Sequence, residues 1–175
     1  MLIVISGLPA TGKTTLAAAL ARRVRAVHLS VDTVEDALLR SGLEPGWTTG
    51  VAAYEAVSAA AQQNLVLGLR VVVDAVNDSE AARQVWRDAA KRAGDVVRFV
   101  LLLPPNVAEH QRRLRTRERG LEQVPEPSWS EVEHRTQVYE AWPDEPLVLA
   151  ADEPIEHLVK RLDHELSHDR AEHTP

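Results

Sequence analysis

The residues from Gly7 to Thr14 have the types and the spacing needed to bind phosphate. They read Gly-Leu-Pro-Ala-Thr-Gly-Lys-Thr and match the pattern G-x-x-x-x-G-K-S/T at every constrained position. Glycines let a backbone wrap closely enough for successive N–H groups to point inward at an anion. Lys13 would reach the β- and γ-phosphates of a nucleotide, and the Thr14 hydroxyl would bind the Mg²⁺ that bridges them. This stretch therefore predicts binding of a nucleoside triphosphate.

The sequence on either side of this loop supplies the context that the motif requires. Leu2 to Ile5 are apolar without alternation, as expected of a strand that is buried on both faces. A helical pattern follows from Thr15 to about Val24, and its N-terminus adds about half an elementary positive charge at the same place. The nucleotide-binding residues predicted here are Gly7, Leu8, Pro9, Ala10, Thr11, Gly12, Lys13, Thr14 and Thr15.

Two aspartates stand at the ends of predicted strands, where a parallel sheet forms its ligand crevice. Asp32 follows a short strand over 26–30. It could accept the proton of a hydroxyl that receives a phosphoryl group, or it could cap the next helix. Asp74 ends a strand after three valines. It could hold Mg²⁺ through water or position the acceptor, and the spacing does not decide between these roles.

Arginines cluster after the fourth predicted strand, at Arg112, Arg113, Arg115, Arg117 and Arg119. A helix through about Arg119 would place Arg115 and Arg119 on one face, with Arg112 beside them. Such a cluster is either a solvated helix face or a set of guanidinium groups that neutralise a transferring phosphoryl group.

Two other side chains have a less specific context. Trp47 lies in a predicted loop over 43–50 beside the presumed acceptor crevice, where it could stack on substrate or pack against protein. His28 lies in or beside the second strand, and we expect a packed core residue there.

Composition narrows the class of protein. The 175 residues, 45% of them hydrophobic, suit one α/β domain. A net charge of −6 is unlike the basic surface of proteins that grip long nucleic acid, and the lack of cysteine excludes disulfides and thiol chemistry. No apolar run approaches the ~18 residues of a membrane span, and no signal peptide is evident. We expect a soluble cytoplasmic protein.

Predicted strands and helices alternate along the chain. The strands fall over 2–5, 26–30, 70–74, 97–103 and 147–150, and the helices over 15–24, 33–40, 51–67, 79–93, 106–119, 130–142 and 155–168. This order favours a parallel sheet with helices on both faces. With no repeat or linker, we expect one domain over 1–168 and a frayed tail over 169–175.

In chain order, Gly7–Thr14, Ser30-Val31-Asp32 and Arg112–Arg119 resemble the signatures of the small phosphate-loop kinases, an AAA-ATPase-like group. The group includes gluconate and shikimate kinases, chloramphenicol phosphotransferase, zeta-type toxins and the kinase domain of polynucleotide 5′-kinases. The resemblance covers about residues 1–165. It implies a three-layer P-loop NTPase fold with five parallel strands in the order 2-3-1-4-5 and an arginine-rich helical lid over about 106–128.

The resemblance also implies ATP and Mg²⁺ as cofactors, with Asp32 as the general base of phosphoryl transfer. Lid arginines contact the phosphates in such kinases. The implied catalytic residues are Lys13, Asp32, Arg115 and Arg119. Arg112 and Arg115 join the loop in nucleotide binding, and Thr14 and Asp74 are the implied metal-binding residues.

The polynucleotide 5′-kinases are similar in most detail, through Arg115-Thr116-Arg117-Glu118-Arg119-Gly120 before Val124-Pro125. They place an arginine three residues after the catalytic aspartate to hold the phosphate of the acceptor, whereas this chain has Glu35. An acidic side chain there repels a phosphodiester and favours a neutral or cationic small-molecule hydroxyl. The predicted acceptor site comprises Asp32, Glu35, Trp47 and Asp74.

Two other functions stay open on the sequence. One is a kinase for the 5′-hydroxyl of a polynucleotide or nucleoside, and the other is an ATPase or switch module without a phosphoryl acceptor. The N-K-x-D motif of switch GTPases is absent, because Asn64, Asn77 and Asn106 are not followed by lysine. Motor-type ATPases usually pair two acids where Asp74 is followed by Ala75. Both absences favour a kinase.

Overall fold

The computed structural model describes residues 1–143 and 145–172, in which each of five strands is followed by one or two of seven helices. The elements are β1 (Leu2–Ser6), α1 (Lys13–Val24), β2 (Val27–Ser30), α2 (Val31–Arg40), α3 (Trp47–Val66), β3 (Val71–Asp74), α4 (Glu80–Arg92), β4 (Val97–Leu103), α5 (Val107–Thr116), α6 (Trp129–Val138), β5 (Leu147–Ala150) and α7 (Ile155–Glu172). Part of the predicted tail, 173–175, lies outside the described residues. None of the helices in the described chain is long and apolar enough to cross a membrane.

The strands form one parallel sheet in the order β2-β3-β1-β4-β5, which confirms the predicted fold and strand order. Strand β1 lies at the centre, where Leu2 is opposite Val71 of β3 and Val97 of β4. Every residue of β1 is buried, and this explains why its sequence does not alternate between apolar and polar.

Helices cover both faces of the sheet and define two core layers. On one face, Leu2 and Val4 pack with the buried residues of α3 and α4. On the other face, Ile3 and Ile5 pack with α1 and α7. Successive residues of β1 therefore contribute to opposite layers, as the two-residue period of a strand requires.

Two element boundaries differ from the sequence prediction in regions that matter for function. The loop predicted over 43–50 is shorter, because α3 begins at Trp47. The first helical hydrogen bond of α3 runs from the N–H of Gly50 to the carbonyl of Gly46, at 3.0 Å. Helix α5 ends at Thr116, because Arg117 adopts an extended conformation with ψ of 142°. The prediction that Arg115 and Arg119 share a helix face was therefore wrong.

A buried arginine binds the chain just after the end of α6. Arg83 on α4 donates to the carbonyl oxygens of Asn77 at 3.1 Å, Ala141 at 2.8 Å and Glu140 at 2.6 Å. Its guanidinium also lies 4.1 Å from the ring centroid of Trp142. These contacts give the buried guanidinium group of Arg83 the acceptors that it needs. The helix predicted over 130–142 therefore ends earlier, at Val138, and the chain that follows it binds Arg83.

Candidate active site

The segment between β1 and α1 forms a loop that can receive an anion. Gly7, with φ of 146°, and Gly12, with φ of 103°, have backbone conformations that other residues rarely adopt. A Cβ at Gly7 would lie 2.5 Å from the carbonyl oxygen of Leu102, so the close approach to β4 also requires glycine. The hydrogen bond from Leu16 N–H to Gly12 O, at 3.0 Å, starts the helical ladder of α1. The N–H groups before Leu16 therefore have no acceptor within the helix and suit phosphate oxygens.

Lys13 is held inside this loop. Its side chain is buried, and Nζ donates to the carbonyl oxygen of Leu8 at 3.0 Å. Burial lowers the pKa of Lys13, while the carboxylates of Asp32 and Asp74 oppose that shift. Burying an ammonium group costs free energy, which a bound anion would offset. The position of Lys13 is therefore matched to a phosphate ligand.

Asp74 is the centre of a buried polar cluster. Its side chain is almost fully buried, with the residue 2% exposed, and its Oδ2 accepts from the hydroxyls of Thr14 at 2.7 Å and Ser30 at 3.3 Å. Its Oδ1 accepts from Nε2 of His28 at 2.7 Å, since an ionised carboxylate cannot donate. The cluster ties the first turn of α1 to strands β2 and β3.

The hydroxyl of Thr14 and the carboxylate of Asp74 fit a magnesium ion. Mg²⁺ prefers hard oxygen ligands and keeps several of its waters. Both oxygens lie beside the phosphate loop and 2.7 Å from one another, where a nucleotide-bound ion would meet them. The two side chains therefore supply oxygen atoms of the kind that Mg²⁺ binds, and their role as metal ligands stays a prediction.

His28 is a site residue that the sequence reasoning missed, because we expected it in the core. It is partly exposed, and its imidazole is bound to the carboxylate of Asp74. A signal was available in the spacing of β2. His28 and Ser30 are two residues apart on a strand, so their side chains project from the same face, and both reach Asp74.

Replacing His28 with alanine is expected to weaken Mg²⁺-dependent nucleotide binding by about 10–100-fold, the usual effect of losing a group that orients a metal ligand. Binding without Mg²⁺ should change little, because His28 does not contact the phosphate loop. Titration of a fluorescent ATP analogue with and without Mg²⁺ measures both. His28→Asn, which keeps a donor, should recover part of the affinity. His157→Ala, on the exposed part of α7, is the control. Equal losses with and without the metal would contradict this role.

A cavity of about 460 Å³ connects the phosphate loop to Asp32. Its lining includes Asp32 and Thr33 of α2 and, from the segment that follows β5, Ala151 and Ile155. The arginines on its lining are Arg113, Arg117 and Arg119. The cavity therefore places a carboxylate, the phosphate loop and three guanidinium groups around one space.

Asp32 is the second residue of α2, and the N-cap position is taken by Ser30. The side chain of Asp32 is 37% exposed, and its Oδ2 lies 3.1 Å from Nη1 of Arg119. The alternative prediction, that Asp32 is the N-cap of this helix, was therefore wrong. Asp32 remains reachable from the cavity and carries one ion pair with the segment that connects α5 to α6.

We call residues 117–128, between α5 and α6, the lid loop. Its two arginines share one carboxylate, because Glu126 pairs with Arg117 at 2.6 Å and with Arg119 at 2.5 Å. Sequence reasoning did not identify Glu126, since nothing in the local pattern distinguishes it from other surface glutamates. The shared carboxylate keeps both guanidinium groups close together beside the cavity.

The other arginines of the cluster differ in position from the prediction. Arg112 and Arg115, predicted to bind nucleotide, are exposed on α5 and are not on the cavity lining. Arg112 is instead paired with Glu109 at 2.6 Å. Arg113, a member of the cluster to which we gave no predicted role, lines the cavity and donates to the carbonyl of Thr11 at 3.4 Å. Trp47 is 84% exposed at the start of α3 and is also absent from the lining.

Glu35 lies one turn after Asp32 and is partly buried. Burial raises the pKa of Glu35, and the nearby carboxylate of Asp32 raises it further, against the opposing charges of Arg119 and Arg135. Arg135 itself pairs with Asp78 at 3.2 Å. Neither Glu35 nor Asp74 is on the cavity lining, so the contact of these two residues with an acceptor stays a prediction.

The sheet order, the phosphate loop and the Thr14–Asp74 pair together define a P-loop nucleotide-binding protein. Within that class, the chain belongs to the AAA domain family, which matches residues 2–139. No curated protein sequence matches the chain.

The fold is also similar to those of solved small kinases. A sugar kinase from Janibacter sp. HTCC2649 has a TM-score of 0.72 at 20% identity, covering 95% of this chain and 94% of that one. A gluconokinase from Sinorhizobium meliloti 1021 has a TM-score of 0.65 at 19% identity, with 95% of each chain covered. The APS kinase CysC of Mycobacterium tuberculosis, in complex with AMPPNP and APS, has a TM-score of 0.67 at 18% identity, covering 95% and 96%. These likenesses show a shared fold.

Proposed function

We propose that this protein is an ATP-dependent phosphotransferase that moves the γ-phosphoryl group of ATP to a hydroxyl of a small molecule. The observation that carries the proposal is a cavity whose lining includes both the phosphate loop and the partly exposed carboxylate of Asp32. Phosphoryl transfer needs a nucleophile in line with the leaving group and a group that accepts its proton. Asp32 lines the same cavity as the phosphate loop, so it can reach an acceptor hydroxyl that binds there.

In this mechanism the loop N–H groups and Lys13 bind the β- and γ-phosphates. Asp32 accepts the proton of the acceptor hydroxyl while the new O–P bond forms and the bond to the bridging β–γ oxygen breaks, releasing ADP. Thr14 and Asp74 would hold Mg²⁺, which when bound neutralises charge on the phosphate oxygens. Ser30 and His28 orient Asp74 through their hydrogen bonds to its carboxylate.

The arginines complete the charge balance around the γ-phosphoryl group. Arg119 reaches both the cavity and Asp32, and Arg117 is close enough to Lys13 to lower its pKa. We therefore assign phosphate contacts to Arg113, Arg117 and Arg119. For Arg112 and Arg115 to contact nucleotide, α5 would have to move. His110 of this helix is hydrogen-bonded to the carbonyl of Pro9 at 2.7 Å, which opposes such a movement.

The test is transfer of label from γ-labelled ATP to a panel of acceptors, with ADP formation followed in parallel. The panel contains sugars, antibiotics that carry hydroxyls, nucleosides and 5′-hydroxyl oligonucleotides. A labelled small molecule supports the proposal. Efficient labelling of oligonucleotides would make the protein a 5′-hydroxyl kinase instead. If ATP is hydrolysed at the same rate with and without every acceptor, the protein is an ATPase or switch module.

The acidic side chain of Glu35 gives a prediction about the acceptor. Glu35→Arg is expected to raise kcat/KM for 5′-hydroxyl oligonucleotides by about tenfold and to lower it for a cationic or sugar-like acceptor, because the charge beside Asp32 reverses sign. Steady-state kinetics with both acceptor types measure the effect. Glu55→Arg, the same change on the exposed face of α3, is the control. Identical shifts in the two variants would show a general charge effect and refute a local role.

A further inference from the structure

Asp36 lies one helical turn after Asp32 on α2 and binds the lid loop. The residue is 3% exposed, and its Oδ1 accepts from three consecutive backbone N–H groups, those of Glu122 at 2.8 Å, Gln123 at 2.7 Å and Val124 at 3.3 Å. Its Oδ2 lies 3.2 Å from Nε of Arg40. The N–H groups, that of Gln123 foremost, lower the pKa of Asp36. The ionised carboxylate is therefore the form that binds the loop.

Polar contacts of this kind are needed to position the lid loop, because its apolar residues Leu121, Val124 and Pro127 are only half-buried. Within residues 117–128, all of them described, no residue is buried. The buried apolar contacts of the region are made by Leu114 of α5 and Val132 of α6, outside the loop. Hydrogen bonds to an ionised carboxylate are stronger than neutral ones, so the three bonds to Asp36 restrain the backbone at 122–124.

The segment that Asp36 holds in turn holds Arg119. Nη2 of Arg119 donates to the carbonyl oxygens of Val124 and Pro125, each at 3.1 Å. Val124 thus gives its N–H to Asp36 and its carbonyl to Arg119. Nη1 of Arg119 then meets Asp32 at 3.1 Å. The series of contacts starts and ends on one face of α2, because residues four apart on a helix are neighbours.

We propose that Asp36 is a positioning residue for phosphoryl transfer, which sets Arg119 against Asp32 and the cavity by fixing the backbone at 122–124. The kinetic part of this inference rests on the proposed function, whereas the anchor itself is a property of the nucleotide-free protein. Without the anchor, the carbonyls of Val124 and Pro125 no longer have a fixed position, and Arg119 is left with its ion pairs to Asp32 and Glu126. Transfer then slows, while nucleotide still binds at the phosphate loop.

The anchor is tested first without any activity. In the nucleotide-free protein, the amides of Glu122, Gln123 and Val124 should be protected from hydrogen exchange relative to the rest of the lid loop. Asp36→Ala should speed their exchange by about 10–100-fold, the effect of losing hydrogen bonds to a charged group. Limited trypsin cleavage after Arg119 should rise about tenfold, because the freed guanidinium can enter the protease. Unprotected amides in the wild-type protein would overturn the proposal.

Two further variants separate the anchor from general damage to α2. Asp36→Asn keeps one acceptor oxygen without the charge, so exchange and cleavage should lie between those of the wild type and Asp36→Ala. Arg40→Ala removes the other partner of Asp36 but leaves the three N–H bonds, and it should leave the lid loop unchanged. If Arg40→Ala loosens the loop as much as Asp36→Ala does, the ion pair and not the backbone anchor holds it, and the proposal fails.

The kinetic step is tested by a double-mutant cycle with Arg119. Asp36→Ala should lower kcat about tenfold with little change in KM for ATP, since it acts on a group that stabilises transferring charge. In an Arg119→Ala background, Asp36→Ala should have no further effect. Equal losses in both backgrounds would refute action through Arg119. If no acceptor is phosphorylated by the wild type, the proposed function fails, while the exchange and cleavage results still decide the anchor.

Discussion

Replacing Asp32 with asparagine is expected to lower phosphoryl transfer by about 10²–10⁴-fold, the range typical for loss of a general base. The protein should stay folded, because Ser30 and not Asp32 is at the N-cap of α2. Asparagine also keeps an oxygen that can accept from Arg119. The change removes a charge from the first turn of a helix, which costs no more than about 1 kcal/mol of unfolding free energy. Single-turnover transfer, ATP affinity and thermal unfolding measure the three effects separately.

The matched control is Asp88→Asn, a helical carboxylate on α4 that is not on the cavity lining. It should leave transfer at the wild-type level. A parallel fall in ATP affinity and transfer in Asp32→Asn would indicate a binding role instead of proton transfer. Near-normal turnover in Asp32→Asn would remove Asp32 as the base, and the acceptor side of the proposal would have to be abandoned.

Replacing Lys13 with alanine is expected to reduce transfer by about 10²-fold or more, as loss of one preorganised donor to a developing charge commonly does. Lys13 is 8% exposed, and the hydrogen bond that the described residues give it is to a carbonyl of its own loop, so its main partner in function would be phosphate. Because burial already disfavours the ammonium group, removing it should not destabilise the fold. The melting temperature should stay within about 3 °C of the wild type.

The chain has three lysines, so the control is direct. Lys91→Ala, on the exposed end of α4, removes the same side chain far from the cavity and should leave transfer unaffected. A Lys13→Ala protein that turns over at near-normal rate would refute the assignment of the phosphate loop. A large drop in melting temperature would instead reveal a structural role for the Lys13–Leu8 contact.

Some of the site could be predicted from the sequence because its parts are consecutive in the chain. The phosphate loop is encoded by glycine positions and by a lysine placed at the start of a helix, and both conditions hold in the structure. Asp32 and Asp74 were found because a parallel sheet brings the carboxyl ends of β2 and β3 together.

Contacts between distant segments could not be predicted in the same way. His28 meets Asp74 across 46 positions, and Asp36 meets Gln123 across 87 positions. The arginine cluster shows the same limit. A continuous helix would have placed Arg115 and Arg119 on the same face. Instead, α5 ends at Thr116, and Arg117 and Arg119 line the cavity whereas Arg115 does not.

The sequence by itself determined that this protein is a P-loop α/β protein with a phosphate loop, two candidate carboxylates and a cluster of arginines. These features depend on local periodicity and on a motif, which short-range sterics and hydrogen bonding encode directly. The tertiary structure alone decided which arginines face the cavity, that Glu126 holds two of them, and that Asp36 anchors their loop to the helix of Asp32. Such pairings depend on the path of the lid loop over α2, and no local pattern specifies that path.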